Sequence, residues 1–257
     1  NDTKDSSEND TNDSSFKDSD TLSKLRMWDQ VIPIYEDKFN RMKDFESFTG
    51  LIKSLTAMAM WPKIMTYYDV FNDLKIHQKK QLAVNFSEAC LHLKDWDSLS
   101  NILQFAPDDS SQCISLNALN ALHKGDYKMA DFYVNKGFSL IASRPVTFWT
   151  ENKTIHRNTV MSCQNLIEIT EMKKWLLNEN RKNIEEVWNE RLKTTPRDFD
   201  LWFNIISNRA SLTQIQDDNL IKLFQLKSIT LGTKMHSNAF DNLFPFFDFT
   251  IAPDLHK

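Results

Sequence analysis

Residues 89–103, ACLHLKDWDSLSNIL, contain two helical segments separated by the short polar joint Lys94-Asp95. Residues at spacings of three and four form one stripe through both segments: Ala89, His92, Trp96, Leu99, Ile102 and Leu103. Trp96 directly follows the joint, so it opens the second helix and packs back against the first. The stretch therefore predicts an antiparallel helical hairpin.

The same pattern recurs along the chain. A second stripe runs across the joint Ala59-Met60 and carries Leu55, Met58, Trp61, Ile64, Tyr67, Tyr68 and Phe71. The aromatic residues Trp28, Trp61, Trp96 and Tyr127 are spaced by 33, 35 and 31 positions. Helical hairpins of the tetratricopeptide type repeat about every 34 residues, and neighbours stack because a single hairpin leaves one face bare. We therefore predict an all-α solenoid of tetratricopeptide-like antiparallel hairpins. The residues that we take as structural repeat anchors are Trp28, Trp61, Trp96, Tyr127, Trp188 and Trp202.

Glycine content supports this fold class. The chain has 4 glycines in 257 residues, and they are scattered. Glycine-rich phosphate loops need clustered glycines, and tight β-hairpins depend on Asn-Gly or Asp-Gly turns. All-β and doubly wound α/β folds are therefore disfavoured. Apolar spacing predicts further helices at Thr159–Leu177, Ile184–Leu192, Phe199–Ala210, Leu220–Thr230 and Asn238–Phe247.

The N-terminal end differs from the rest in composition. Residues 1–20 hold seven acids and two bases, whereas the whole chain has a net charge of -4. We predict a disordered acidic segment at 1–21 and a helical-repeat region at 22–257, which we take as a fragment of a longer protein. The near-neutral repeat region gives no case for direct nucleic-acid binding. No apolar run approaches the roughly 20 residues of a membrane span.

Catalytic and metal-binding patterns are absent from the sequence. The six histidines show no spacing typical of a metal site, and no nucleophile motif occurs. His92 and His123 lie beside repeat anchors, which favours a packing role. Cys90, Cys113 and Cys163 sit in apolar stretches and are interpreted as buried, reduced thiols of an intracellular protein. We predict no catalytic residue, no metal ligand and no cofactor for this chain.

Four segments carry a family resemblance, in family order: Leu93–Leu99 (LKDWDSL), Asn120–Tyr127 (NALHKGDY), Val187–Leu192 (VWNERL) and Asp200–Leu212 (DLWFNIISNRASL). The stretch from Asp95 to Leu243 resembles the FAT region of phosphatidylinositol 3-kinase-related kinases and is most similar to the target-of-rapamycin (TOR) branch. Residues 22–94 fit only as generic repeats.

The resemblance implies a scaffold in TOR signalling. The parent would be a large cytoplasmic or nuclear serine/threonine-protein kinase, whose kinase domain, with its ATP and Mg²⁺, lies outside this chain. The FAT solenoid would brace that kinase domain, contact other solenoid regions and present a surface to partner subunits. The resemblance also implies an inositol hexakisphosphate pocket with Arg197 and Lys222 at two basic positions. The alternative is that both are ordinary solvated helix charges.

Two other functions stay open at this point. The first is the FAT segment of a checkpoint-type related kinase, which also has a Trp-x-x-Arg helix in this region. The second is a free-standing tetratricopeptide-like adaptor that binds peptides in a concave groove. A small enzyme has no supporting group of residues.

Overall fold

A computed structural model describes residues 21–25, 27–107, 109–143, 153–194 and 199–213, and the regular elements within these ranges are helices without a strand. Their bounds are α1 Trp28–Met42, α2 Phe45–Ala57, α3 Trp61–Met65, α4 Tyr68–Asp73, α5 Ile76–Leu93, α6 Trp96–Leu103, α7 Ser111–His123, α8 Tyr127–Ala142, α9 Lys153–Leu176, α10 Arg181–Thr194 and α11 Phe199–Thr213. The predicted all-α class is confirmed.

Several predictions fall outside these ranges. They concern disorder at 1–20 and the helices Leu220–Thr230 and Asn238–Phe247. In the part of the chain that is described, every helix is too short or too polar to cross a bilayer.

The helices form two layers. In the first layer α2, α5, α7 and α9 pack side by side in chain order. In the second layer each helix bridges two neighbours of the first: α3 contacts α2 and α5, α6 contacts α5 and α7, and α8 contacts α7 and α9. Because each hairpin buries its face on the next, the arrangement is the predicted helical-repeat solenoid.

The joints between helices share one backbone geometry. Ala59, Lys94 and Gly125 each adopt the left-handed conformation, with φ of 54°, 58° and 73°. The following residue donates its N–H to the carbonyl five positions earlier at 2.9 Å, which completes a Schellman motif. Asp95 and Asp126 then accept a backbone N–H three residues later and cap the next helix. This geometry reverses the chain within three residues.

The aromatic anchors lie where the joints place them. The first residues of α1, α3, α6 and α8 are Trp28, Trp61, Trp96 and Tyr127. Trp61 stacks on His92, the penultimate residue of α5, with ring centroids 4.5 Å apart. Trp96 stacks in the same way on His123, the last residue of α7, at 4.1 Å. Each stack ties a second-layer helix to the end of a first-layer helix, so both histidines have the packing role predicted for them.

The two largest differences between the structure and the sequence prediction concern where helices begin and end. The stripe from Leu55 to Phe71 is interrupted, because its part after the joint forms two short helices, α3 and α4. At the break the backbone N–H groups of Thr66 and Tyr67 donate to carbonyls three residues earlier, and the Thr66 hydroxyl also donates to the Lys63 carbonyl. The second difference is that α9 begins at Lys153, six residues before the predicted Thr159.

The last helix, α11, has an unusual position. It packs against α9 and also reaches α7 and α5. Residues 205–211 are all buried, although Ser207, Asn208, Arg209 and Ser211 among them are polar. A helix that is buried on every side is normally apolar all round. These polar groups therefore need partners inside the protein, and α9, against which α11 packs, is the nearest source of them.

Candidate functional site

Five side chains from three helices meet where α11 packs on α9. Helix α9 contributes Glu168 and Glu171, α10 contributes Trp188 and Arg191, and α11 contributes Arg209. Residues three apart lie on the same side of a helix, so both carboxylates of α9 face one direction, as do Trp188 and Arg191 of α10. We call these five residues the carboxylate–arginine ring.

Hydrogen bonds connect the members of the ring in sequence. Arg209 donates to both oxygens of Glu168, from Nε to Oε2 at 2.6 Å and from Nη2 to Oε1 at 2.7 Å. Arg191 donates from Nη1 to Glu168 Oε1 at 2.6 Å, and from Nη1 and Nη2 to the two oxygens of Glu171, also at 2.6 Å. Paired guanidinium–carboxylate bonds of this kind are strong and fix orientation.

Trp188 closes the ring. Its indole Nε1 donates to Glu171 Oε2 at 2.9 Å. Its ring also lies beneath the guanidinium of Arg209, with Cζ 4.7 Å from the ring centroid. Trp188 is itself buried, so this cation–π contact is shielded from water. Trp188 thus contacts α9 through its polar edge and α11 through its aromatic face.

The ring is buried at the Glu168 end. The Glu168 side chain is 0% exposed and that of Arg209 is 9% exposed, whereas Arg191 and Glu171 are 20% and 18% exposed. Burial by itself raises the pKa of Glu168, but the hydrogen bonds and positive charges of Arg209 and Arg191 outweigh it and hold the pKa below the ordinary value. The hydrogen bonds of Glu171 raise the pKa of Arg191. Glu168 and Arg191 are therefore charged at neutral pH.

This chemistry is suited to holding helices rather than to catalysis. Both carboxylates are committed to arginines, so neither is available as a general base. Burial, with a smaller contribution from Asp95, raises the pKa of the Cys90 thiol to about 12, which leaves it protonated at neutral pH. Across the described ranges, no three histidine, cysteine or acidic side chains come together as a metal site. The ring fixes α9, α10 and α11 relative to one another.

A second ionic contact lies near the start of the chain. Lys63 of α3 donates to Glu36 of α1 at 2.8 Å, and the hydroxyl of Tyr67 donates to the same carboxylate at 3.0 Å. Both charged side chains are about one-third exposed, so solvent screens this pair. It reinforces a joint but lacks the buried charge that distinguishes the ring.

The predicted site residues have different outcomes. Arg197 and Lys222, the candidate inositol phosphate ligands, lie outside the described residues, as does the side chain of Trp202. Trp188 lies in the middle of α10 and is part of the ring. The two arginines of the ring, Arg191 and Arg209, belong to segments that the sequence analysis quoted, although it gave them no partners.

Both carboxylates of the ring were missed by the sequence analysis. Glu168 lies between Ile167 and Ile169 in an apolar helical segment, with Glu171 one turn later. Acidic residues are almost never fully buried unless they are paired. A glutamate on the apolar side of a predicted helix is therefore a signal that a cationic partner exists, but the sequence does not identify which one.

Comparison of the chain with known proteins matches the part of the sequence that contains the four quoted segments. A family model described as the FAT domain matches residues 88–240, close to the stretch 95–243 that carries the resemblance. Serine/threonine-protein kinase TOR2 of Saccharomyces cerevisiae is 22% identical over 206 residues, which cover 78% of this chain and 8% of that protein. Serine/threonine-protein kinase mTor of Drosophila melanogaster is 21% identical over 199 residues, covering 76% and 8%.

A plant relative gives a similar result. Serine/threonine-protein kinase TOR of Oryza sativa subsp. japonica is 20% identical over 225 residues, covering 76% of this chain and 9% of that protein. The chain thus spans less than a tenth of the length of the curated relatives that it matches.

Proposed function

The chain belongs to the FAT-domain family, and from this membership we propose that it is a scaffold segment of a TOR-like serine/threonine-protein kinase. Its role is to brace a kinase domain elsewhere in the parent protein and to present a surface to partner subunits. The observation that carries the proposal is the carboxylate–arginine ring, which locks three helices where the family motifs lie. A brace needs fixed geometry, and a buried, fully paired charge network supplies it.

The burial of α11 favours this function over a free-standing adaptor. Repeat adaptors use extended concave surfaces to bind their ligands. Here α11 packs against α9, α7 and α5 of the first layer and so takes surface that an adaptor would leave open. In addition, α7 is buried on every side over residues 113–122, apart from the half-buried Asn117. These observations support a helix array whose own helices occupy the surface that an adaptor would offer to a peptide.

The test is the size and activity of the native polypeptide. An antibody raised to residues 85–231 is used to blot and to immunoprecipitate protein from source cells. We expect a band many times larger than the 30.1 kDa of this chain and ATP-dependent phosphorylation of serine or threonine peptides by the precipitate. A band near 30.1 kDa would favour the adaptor, and a large protein without kinase activity would contradict the kinase assignment.

The inositol phosphate pocket is proposed on the family resemblance. Arg197 and Lys222 remain its two candidate residues, and the parent protein would supply other ligands. We expect inositol hexakisphosphate to raise the melting temperature of the intact protein, and the combined substitutions Arg197→Ala and Lys222→Ala to abolish that rise. If the ligand does not change the melting temperature of the wild-type protein, the assignment of an inositol phosphate pocket is wrong.

A further inference from the structure

The carboxylate–arginine ring has a buried end and an end that solvent can reach. Glu168 and Arg209 form the buried end, and Arg191 and Glu171 are each about one-fifth exposed. Arg191 also lines an open hollow of about 430 Å³ beside α10, together with Asn183, Glu186, Val187 and Glu190. A change at the surface of α10 therefore reaches Arg191 before it reaches Arg209 of α11.

One carboxylate serves arginines from two helices. Glu168 Oε1 accepts from Arg191 of α10 and from Arg209 of α11. The same oxygen also accepts from the amide of Gln164 at 2.8 Å. Three donors therefore share this oxygen, and the two arginines compete for it. Arg191 has a competing partner in Glu171, with which it forms a bond through each of its two terminal nitrogens. When Glu171 binds Arg191 firmly, Arg191 competes less for Glu168, and Glu168 holds Arg209 and α11 more strongly.

The charges of the ring balance as two carboxylates against two guanidiniums. Removing the charge of Glu171 leaves two cations around the single buried carboxylate of Glu168, and they repel each other in a region of low dielectric. Removing the charge of Arg191 has the opposite consequence, because Arg209 then becomes the one arginine of the ring bonded to Glu168 Oε1, while Glu171, which is 18% exposed, keeps the Trp188 indole and is reached by solvent. The first change weakens the hold on α11, and the second maintains or strengthens it.

We propose that α10 and α11 are coupled electrostatically through Glu168, with Glu171 setting how firmly α11 is held. A cationic group that binds Glu171 at the end of the ring that solvent reaches would loosen α11. An anionic group that enters the hollow and binds Arg191 would strengthen the contact between Glu168 and α11. The coupling involves α9, α10 and α11 alone and is independent of the kinase proposal.

Hydrogen–deuterium exchange of residues 205–213 in the intact parent protein tests the coupling. Glu171→Gln keeps an acceptor for the Trp188 indole but removes the charge, and we expect exchange in α11 to accelerate roughly tenfold, within the range of coupled sites. Arg191→Met is expected to slow that exchange or leave it unchanged. The matched control is Arg181→Met, which removes a cation that lies on α10 over Trp175 and outside the ring.

The direction of the two effects decides the outcome. If the ring acted only by packing, both substitutions would accelerate exchange in α11. Acceleration in both variants, or none in Glu171→Gln, would overturn the coupling, as would an equal acceleration in the Arg181→Met control. Exchange in α7 reports whether the fold is intact.

A second variant covers the case in which Glu171→Gln does not fold. Glu171→Asp keeps the charge but shortens the reach to Arg191. We expect a smaller acceleration that is confined to α11, and its absence would overturn the coupling in the same way.

Discussion

Replacing Glu168 by glutamine should be among the most damaging single substitutions in this chain. The change keeps the shape of the side chain but removes a charge that is 0% exposed and is bonded to Arg209 and Arg191. Arg209 is only 9% exposed, so solvent reaches too little of its guanidinium to replace the lost carboxylate. Breaking a buried ion pair from one side costs about 3–5 kcal/mol, because the remaining charge stays desolvated. We expect a loss of that size in the free energy of unfolding.

The chain offers a matched control for this substitution. Asp131 of α8 pairs with Lys173 of α9 at 2.6 Å, the same distance as the bonds between Glu168 and Arg209 Nε or Arg191. The Asp131 side chain is 51% exposed, so Asp131→Asn should cost at most about 1 kcal/mol. The two substitutions remove the same charge at the same distance between packed helices, and the sites differ in burial and in the number of cationic partners, two arginines for Glu168 and one lysine for Asp131.

Urea unfolding of the purified wild-type chain and the two variants, followed by tryptophan fluorescence, measures both values. The reasoning predicts a gap of at least about 2 kcal/mol between Glu168→Gln and Asp131→Asn. Equal losses in the free energy of unfolding would mean that burial does not control the strength of the ring. A loss below about 1 kcal/mol for Glu168→Gln would mean that solvent or another side chain replaces the carboxylate at Arg209.

Two further predictions concern a joint and the pH. Lys94 adopts φ of 58°, a conformation that favours glycine. Lys94→Gly should therefore raise the free energy of unfolding by about 0.5–1 kcal/mol, measured by urea unfolding. A lower free energy of unfolding would show that the Lys94 side chain makes a compensating contact. The pKa of Glu168 is lowered in the folded protein, so its contribution is fully present above the unfolded value of 4.5 and is lost as the pH falls through the folded pKa. Unfolding measured between pH 3 and 7 should therefore show a steeper acid loss for the wild type than for Glu168→Gln, and parallel curves would contradict this.

Much of the repeat architecture was predictable, because the information is local in the sequence. An αL residue, the N-cap position and an aromatic follow one another at 59–61, 94–96 and 125–127, and the N-cap residue is a capping aspartate in the last two, so three adjacent positions mark each reversal of the chain. The stripe spacing then gives the helices on either side. Boundaries were less certain, as the break at Thr66 and the early start of α9 show, because apolar periodicity marks the buried face of a helix and not the residues at which the helix begins or ends.

By itself, the sequence determined the helical class, the period and the family, since each depends on neighbouring residues or on motifs in a fixed order. The tertiary structure alone decided which charges pair. Glu168 is separated by 23 positions from Arg191 and by 41 from Arg209, and no local pattern links residues so far apart. Only the packing of α11 across the first layer brings Arg209 to Glu168, and only burial there turns an ordinary pair of charges into the ring that holds three helices together.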